Sequence, residues 1–541
     1  MNSVSKKAGV RLGLVAVTAV AGLVLAGCSG GGDTGGDGDN TILVGTTDKV
    51  TTLDPAGSYD NGSLGVQTQV FPYLVNTDYN STDVVPDLAE TAEFTAPDEY
   101  TVTLPEGLKW ANGNDLTSSD VKFSFDRNIA IADPNGASSL LYNLDSVSTP
   151  DDLTVVFKLK TENDQIFPQI LTSFPGAVVD EESFSADAIT PDEDIVAANA
   201  FGGPYMITSY EFNQTVEYAP NPNYKGLLGA PVNDSVITTV YADSSNLKLA
   251  VQEGEVDVAY RSLSPTDIAD LSTNDAVTVH NGPGGEIRYI VFNFNTMPYG
   301  ATTPEADPVK AQAVRQAVAS LVDRQAIATQ VYKDTYTPLY SFVPDGFAGA
   351  TTVLKDLYGD GNGGPDATTA ADILASAGVT TPVALSLQYN SDDHYGPSSG
   401  DEYAMIKDQL EADGLFAVDL QSTEWVQYSK DRTADVYPAY QLGWFPDYSD
   451  ADNYLTPFFL TNNFLGNHFS DAEVDQMILD QAVTTDPAER QQKIEEIQGR
   501  MGELLSTVPL LQGAQVAVSG TGIDGVVLDA SFKFRYAPLT K

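Results

Sequence analysis

Apolar residues recur along this chain at two spacings. One alternates, as a half-buried strand requires. Leu153, Val155, Phe157 and Leu159 share one face of a run to Lys160, and Val383, Leu385, Leu387 and Tyr389 share another. Glu99-Tyr100-Thr101-Val102-Thr103-Leu104 is a shorter run of the same kind. The other spacing is three to four residues, and it begins at helix-start signals. Thr117-Ser118-Ser119-Asp120 reads as a capping box before Val121, Phe125 and Ile129. Asp307-Pro308 supplies a cap and a first-turn proline before Val314, Val318 and Leu321. Ser470-x-x-Glu473 opens a helix carrying Val474, Met477 and Ile478, and Asp486-Pro487 one carrying Ile494, Ile497, Met501, Leu504 and Leu505. Strands and helices interleave without a strict βαβ rhythm and without a repeat of 20–50 residues. The pattern predicts mixed α/β structure from Thr41 onward.

The first forty residues differ. Lys6, Lys7 and Arg11 precede an apolar run, Leu12 to Leu25, and then Leu25-Ala26-Gly27-Cys28. This order describes a secretory signal peptide. Ser29 to Asn40 holds six Gly and three Asp and reads as a flexible, solvated tether. Cys28 is the single cysteine, so no disulfide can form within the chain.

Composition narrows the function. The 541 residues carry 75 acidic and 27 basic side chains, a net charge of −48. Nucleic-acid binders need clustered cations, so that class is excluded. Multi-span membrane proteins need repeated apolar runs of about 20 residues, and only one apolar run is present. With 42% hydrophobic residues the chain can build cores.

Catalytic motifs are scarce. His280, His394 and His468 are not at metal-ligand spacing from one another, and no G-x-S-x-G elbow occurs. Gly359, Gly361 and Gly364, like Gly520, Gly522 and Gly525, match G-x-G-x-x-G but lack the strand-then-helix context of a dinucleotide site. Asp360-Gly361-Asn362-Gly363 lacks a calcium loop's closing glutamate, because Ala371 stands at the twelfth position. Neither a cofactor nor a metal is expected. One cluster stands out: Asp447, Asp450 and Asp452 among Trp444, Phe445, Tyr448 and Tyr454. Acids mixed with aromatics suit a cationic, partly apolar ligand. Taken alone, they suit better a solvated loop whose aromatics turn into a core.

Collinear segments then resemble one family, the solute-binding proteins of bacterial peptide-type ABC importers (family 5). They are Leu53-Asp54-Pro55; Pro86-Asp87-Leu88-Ala89-Glu90; Leu108-Lys109-Trp110-Ala111-Asn112-Gly113; Leu116 to Ser124; Gly202-Gly203-Pro204-Tyr205; Asn221-Pro222-Asn223-Tyr224; Gly254-Glu255-Val256-Asp257; Phe292-Asn293; Val314 to Val318 with Asp323-Arg324; and Gly443-Trp444-Phe445-Pro446-Asp447-Tyr448. Leu25-Ala26-Gly27-Cys28 resembles a bacterial lipobox, which implies that Cys28 is lipidated after cleavage.

The resemblance implies an α/β, two-lobed periplasmic-binding-protein-like fold (type II, the large cluster C kind), closing over ligand at a hinge. Its expected divisions are a signal peptide at 1–27, the lipidated cysteine and linker at 28–40, a first lobe from 41–75, 199–285 and 500–541, an extra subdomain at 76–198 and a second lobe at 286–499. It implies a monomeric, non-enzymatic receptor, lipid-anchored on the outer face of the cell membrane, that passes peptides to ABC permease subunits. Asp447 would hold the peptide α-ammonium by a charge-assisted hydrogen bond. Trp444, Tyr448 and Trp425 are the aromatic candidates beside it. Relatives of this kind also carry nickel complexes, oligosaccharides or other small solutes, and a secreted hydrolase is the competing class. Val70-Phe71-Pro72-Tyr73-Leu74 departs from the family where many relatives place a glutamate.

Overall fold

The computed structural model describes residues 40–531 and 533–541, and the expected signal peptide and Cys28 lie outside them. Asn40–Lys541 forms one compact unit. Its strands gather into two large sheets. Among the described residues no helix is long and apolar enough to cross a membrane.

The first sheet has seven strands, in spatial order Val277–Gly282, Gln515–Gly520, Val258–Tyr260, Thr41–Thr46, Ser235–Val240, Thr215–Pro220 and Tyr205–Glu211. Thr41–Thr46 is central and parallel to both neighbours. Its alternation serves two cores: Ile42 and Val44 are buried on one face, and Leu43 packs on the other. The second sheet has six strands, in order Tyr336–Pro338, Thr507–Gly513, Ile287–Phe292, Ala439–Trp444, Val383–Asn390 and Phe416–Thr423. Every residue of Ile287–Phe292 is buried, as a central strand covered on both faces must be. The predicted helices Pro308–Leu321 and Pro487–Leu504 pack against this sheet. Asp307 and Asp486 cap them as expected. The helix Ala472–Ala482 is capped by Asp471 rather than Ser470, because the Asp471 carboxylate accepts from both Glu473 N and Val474 N.

A four-stranded antiparallel sheet, Thr91–Ala96, Glu99–Thr103, Thr154–Leu159 and Leu144–Asp151, forms a third core under the helix Ser118–Ile131. The Thr117–Asp120 capping box is present, and Phe125 meets Phe157 edge-on at 4.9 Å. Two of the resembling motifs are packing devices here. Trp110 is fully buried. Asp54, also fully buried, takes a bidentate bond from Arg127 (2.8 and 2.5 Å) and one from Thr190 N (2.7 Å). This fastens the small subdomain to the first lobe.

The chain crosses between the large sheets twice, after Gly282 and at Ala514. The expected boundary at residue 500 is therefore displaced. Residue 500 lies inside the helix Pro487–Leu504, and Thr507–Gly513 pairs with Ile287–Phe292 in the second sheet. The boundary at 75/76 likewise falls inside a strand, Val75–Thr77. The two crossings touch. Gly513 N donates to Glu286 O at 2.8 Å, and a methyl group on Gly284 would sit 1.4 Å from the Gly513 carbonyl oxygen.

Candidate ligand cleft

Between the two lobes lies a cleft of about 740 Å³. Thr47–Lys49, Tyr59–Gly62 and Arg261–Leu263 line it from the first lobe, Arg288, Tyr332, Tyr336, His394–Ser398 and Phe445 from the second, and Glu286 and Ala514 at the crossings. The two sides touch. Arg261 stacks on the Phe445 ring at 4.9 Å, and the Tyr59 hydroxyl donates to Asp447 Oδ1. At the periphery Gln165 N, in the small subdomain, donates to Ala482 O at 2.9 Å.

Asp447 is positioned by the segment that follows the strand Ala439–Trp444. The buried Asn453 organises it: its Oδ1 accepts from Trp444 Nε1 (2.8 Å) and Asp447 N (2.9 Å), while its Nδ2 donates to Asp447 Oδ2 (3.0 Å). Tyr59 comes from the turn before the helix Asn61–Val70, whose cap is Asp60, and its ring packs edge-on against Phe174 at 4.8 Å. Burial pushes the Asp447 carboxyl up, and the hydrogen bonds from Tyr59 and Asn453 oppose that shift. No cation among the described residues lies within ion-pair distance of Asp447. The arrangement is a half-buried acid at the lobe interface with two neutral donors and no counter-charge.

Asp447 and the three aromatic candidates alike stand outside the cavity wall. Trp444 packs between Phe458 and Phe464, 5.1 and 5.4 Å away, and reaches Asp447 only through Asn453. Trp425 lies one layer behind the cleft, stacked face to face on His394 at 3.5 Å, and His394 lines the cavity. Desolvation pushes the His394 imidazole down to about 4, so it is neutral at pH 7. Tyr448 is buried in the core of the small subdomain and donates to Asp452 Oδ2 at 3.2 Å. Its ring serves the contact between lobes rather than the cavity wall. Tyr59, Asn453 and Arg288 were not singled out in the sequence. Tyr59 stands 388 positions from Asp447, and no spacing rule reaches so far.

Two α/β lobes with paired crossings and a charged cleft between them are the architecture of a two-lobed binding-protein fold. Residues 83–466 match the profile of bacterial extracellular solute-binding proteins, family 5 Middle, and the chain belongs to that family. Proteins of Brucella species named for peptide binding in an ABC transporter are 31% identical over 278 residues; the match spans 50% of this chain and 48% of theirs, so the chain aligns with about half their length. The oligopeptide-binding protein OppA of Bacillus subtilis is 23% identical over 557 residues, covering 96% of this chain and 97% of that one. Two solved structures share the fold. HbpA2 from Haemophilus parasuis has a TM-score of 0.78 at 20% identity, covering 93% of this chain and 99% of its own. A dipeptide-binding protein from Pseudoalteromonas sp. SM9913, in complex with Met-Leu, has a TM-score of 0.72 at 19% identity, covering 93% and 100%. At these identities the likeness is one of fold.

Proposed function

We propose that this protein captures peptides with a free N-terminus in the interlobe cleft and hands them to an ABC permease. In this reading it catalyses no turnover, works as a monomer and is held at the outer face of the membrane through a lipidated Cys28. The observation that carries the reading is Asp447, an acid at the closing interface that lacks a counter-charge. A ligand ammonium would supply that charge, and leaving the acid unpaired in a closed cleft costs several kcal/mol, on the order of 3. The rest of the cleft suits an extended peptide, whose backbone donors and acceptors can be met independently of side chains. The names of the Brucella and Bacillus relatives point the same way.

The test compares free-amine with N-acetylated alanine peptides by calorimetry. Asp447→Asn is expected to weaken the free-amine peptides by about thirtyfold, a charge-assisted bond's worth, and to leave the acetylated ones within a factor of about three. Equal loss for both would make Asp447 a structural residue. Recovery of every peptide intact after long incubation, read by mass spectrometry, is expected of a receptor. Fragments would instead reveal a hydrolase.

A further inference from the structure

The first lobe has a cavity of its own. It measures about 630 Å³ and shares no lining residue with the interlobe cleft. It opens where the edge strand Tyr205–Glu211 of the seven-stranded sheet meets the short helix Asp192–Ala198. Ile189, Pro191, Val196 and the Phe212 ring give it apolar walls. Phe212 lies in the turn after the edge strand and is 54% exposed. The wall at Thr190 is fixed from behind. Thr190 N donates to Asp54 Oδ2 at 2.7 Å, and Arg127 grips Asp54, Ser185 O and Ala188 O around it.

Asp192 is set among these walls. Its carboxylate accepts from the Thr52 hydroxyl (2.7 Å), Leu53 N (2.8 Å) and the Tyr210 hydroxyl (2.9 Å). All three donors are neutral, and about one of the four acceptor positions of a carboxylate is left over. Arg127 reaches the Thr190 hydroxyl at 3.4 Å but is committed to Asp54. No cation among the described residues lies within ion-pair distance of Asp192. Acids without a counter-charge are common in a chain of net charge −48, so that fact alone decides nothing. The surroundings decide. A carboxylate offers an ammonium a charge-assisted hydrogen bond, the aromatic rings of Tyr210 and Phe212 are the kind that attract cations, and the apolar walls bury hydrocarbon. Glu193, the other charged lining residue, has the same sign as Asp192. The volume falls in the range of small-molecule sites, roughly 300–1,000 Å³.

We propose that this cavity is a second ligand site, which takes a small organic amine with an apolar body and holds its ammonium against Asp192. The inference is independent of the peptide reading. It stands or falls whichever solute the interlobe cleft takes, and it needs no movement of one lobe on the other.

The full-length protein is titrated, by ligand-observed NMR, with phenethylamine, phenylethyl alcohol and phenylpropionate, which share one apolar body and differ in charge. The wild type is expected to bind the amine about tenfold more tightly than the alcohol, the worth of a charge-assisted bond at a partly exposed acid, and the carboxylate least of all. Asp192→Asn keeps an acceptor for Thr52 and Leu53 N and is expected to bring the amine to parity with the alcohol. Asp447→Asn is expected to leave the preference in place. Equal binding of amine and alcohol by the wild type overturns the inference. A preference that survives Asp192→Asn also overturns it, and its loss in Asp447→Asn would then move the amine to the interlobe cleft. Should Asp192→Asn fail to fold, Val196→Trp serves instead. It fills the cavity with the carboxylate in place and is expected to abolish binding of amine and alcohol alike, and unchanged binding overturns the inference.

Discussion

The acidic stretch after Trp444 divides into two regions that resemble each other in sequence and differ in what surrounds them. Asp450 and Asp452 face the interior. Asp450 takes a bidentate bond from Arg490, at 2.6 and 2.7 Å. Asp452 accepts from Gln481 (2.5 Å), Thr456 (2.8 Å) and Tyr448 (3.2 Å) and is 1% exposed. Asp447, a few positions earlier, faces the other lobe with two neutral donors. The interior pair is provided for by its own fold and acts as a strut. The interface acid is provided for only in part. The unfilled share of its bonding, and not its place in a cluster of acids, is what supports the proposed ligand role.

The comparison breaks most visibly at Asp450. Asp450→Ala strands Arg490 in a largely buried site, and urea denaturation is expected to show a loss of about 3 kcal/mol. The ratio of free-amine to acetylated peptide binding should not change. A changed ratio would erase the division between strut and receptor. The opposite pattern, lost ligand discrimination with little lost stability, is the expectation already given for Asp447→Asn.

A pH comparison sharpens the interior half. Burial first, and then the Asp450 charge, raise the Asp452 carboxyl to about 6, against an unfolded value of about 3.9. A raised carboxyl favours the folded state while it is protonated. That contribution is complete below about pH 4 and is lost as pH climbs through about 6. Relative to Asp452→Asn, the wild type is therefore expected to lose about 2 kcal/mol of unfolding free energy between pH 4 and pH 7. A difference that stays flat across that window would show that Asp452 is ionised throughout.

The smallest effect belongs to Tyr59→Phe, which removes one donor from Asp447 and leaves the ring on Phe174. Peptide affinity is expected to change by about three- to tenfold, the worth of a single hydrogen bond, with stability unmoved. A change of a hundredfold or more would make the phenol itself a principal ligand group.

Much of the scaffold was legible because its signals are local. The Thr117–Asp120 box, the caps at Asp307 and Asp486, and the strand Val383–Asn390 each follow from fewer than ten residues of pattern. Asp447 was singled out by resemblance and by its aromatic neighbours. The sequence did not show that Tyr448 turns away into the small subdomain, or that Trp425 backs His394, since an aromatic reads alike on either side of a loop. Asn453 is polar and unremarkable in the sequence. Its role comes from three hydrogen bonds that exist only once the segment Trp444–Asn453 has folded back on itself. Arg288 sits in an otherwise apolar strand, and that interruption was the one available signal.

The paired crossings carry a consequence for how a solute is measured. Because the chain after Gly282 and the chain at Ala514 touch, with Gly284 pressed on the Gly513 carbonyl, the lobes share a single narrow axis instead of two separated straps. A solute too long for the cavity would be registered as a door left ajar, with the Tyr59–Asp447 and Gln165–Ala482 contacts failing together, and its size would be converted into a shape distinct from the shut form.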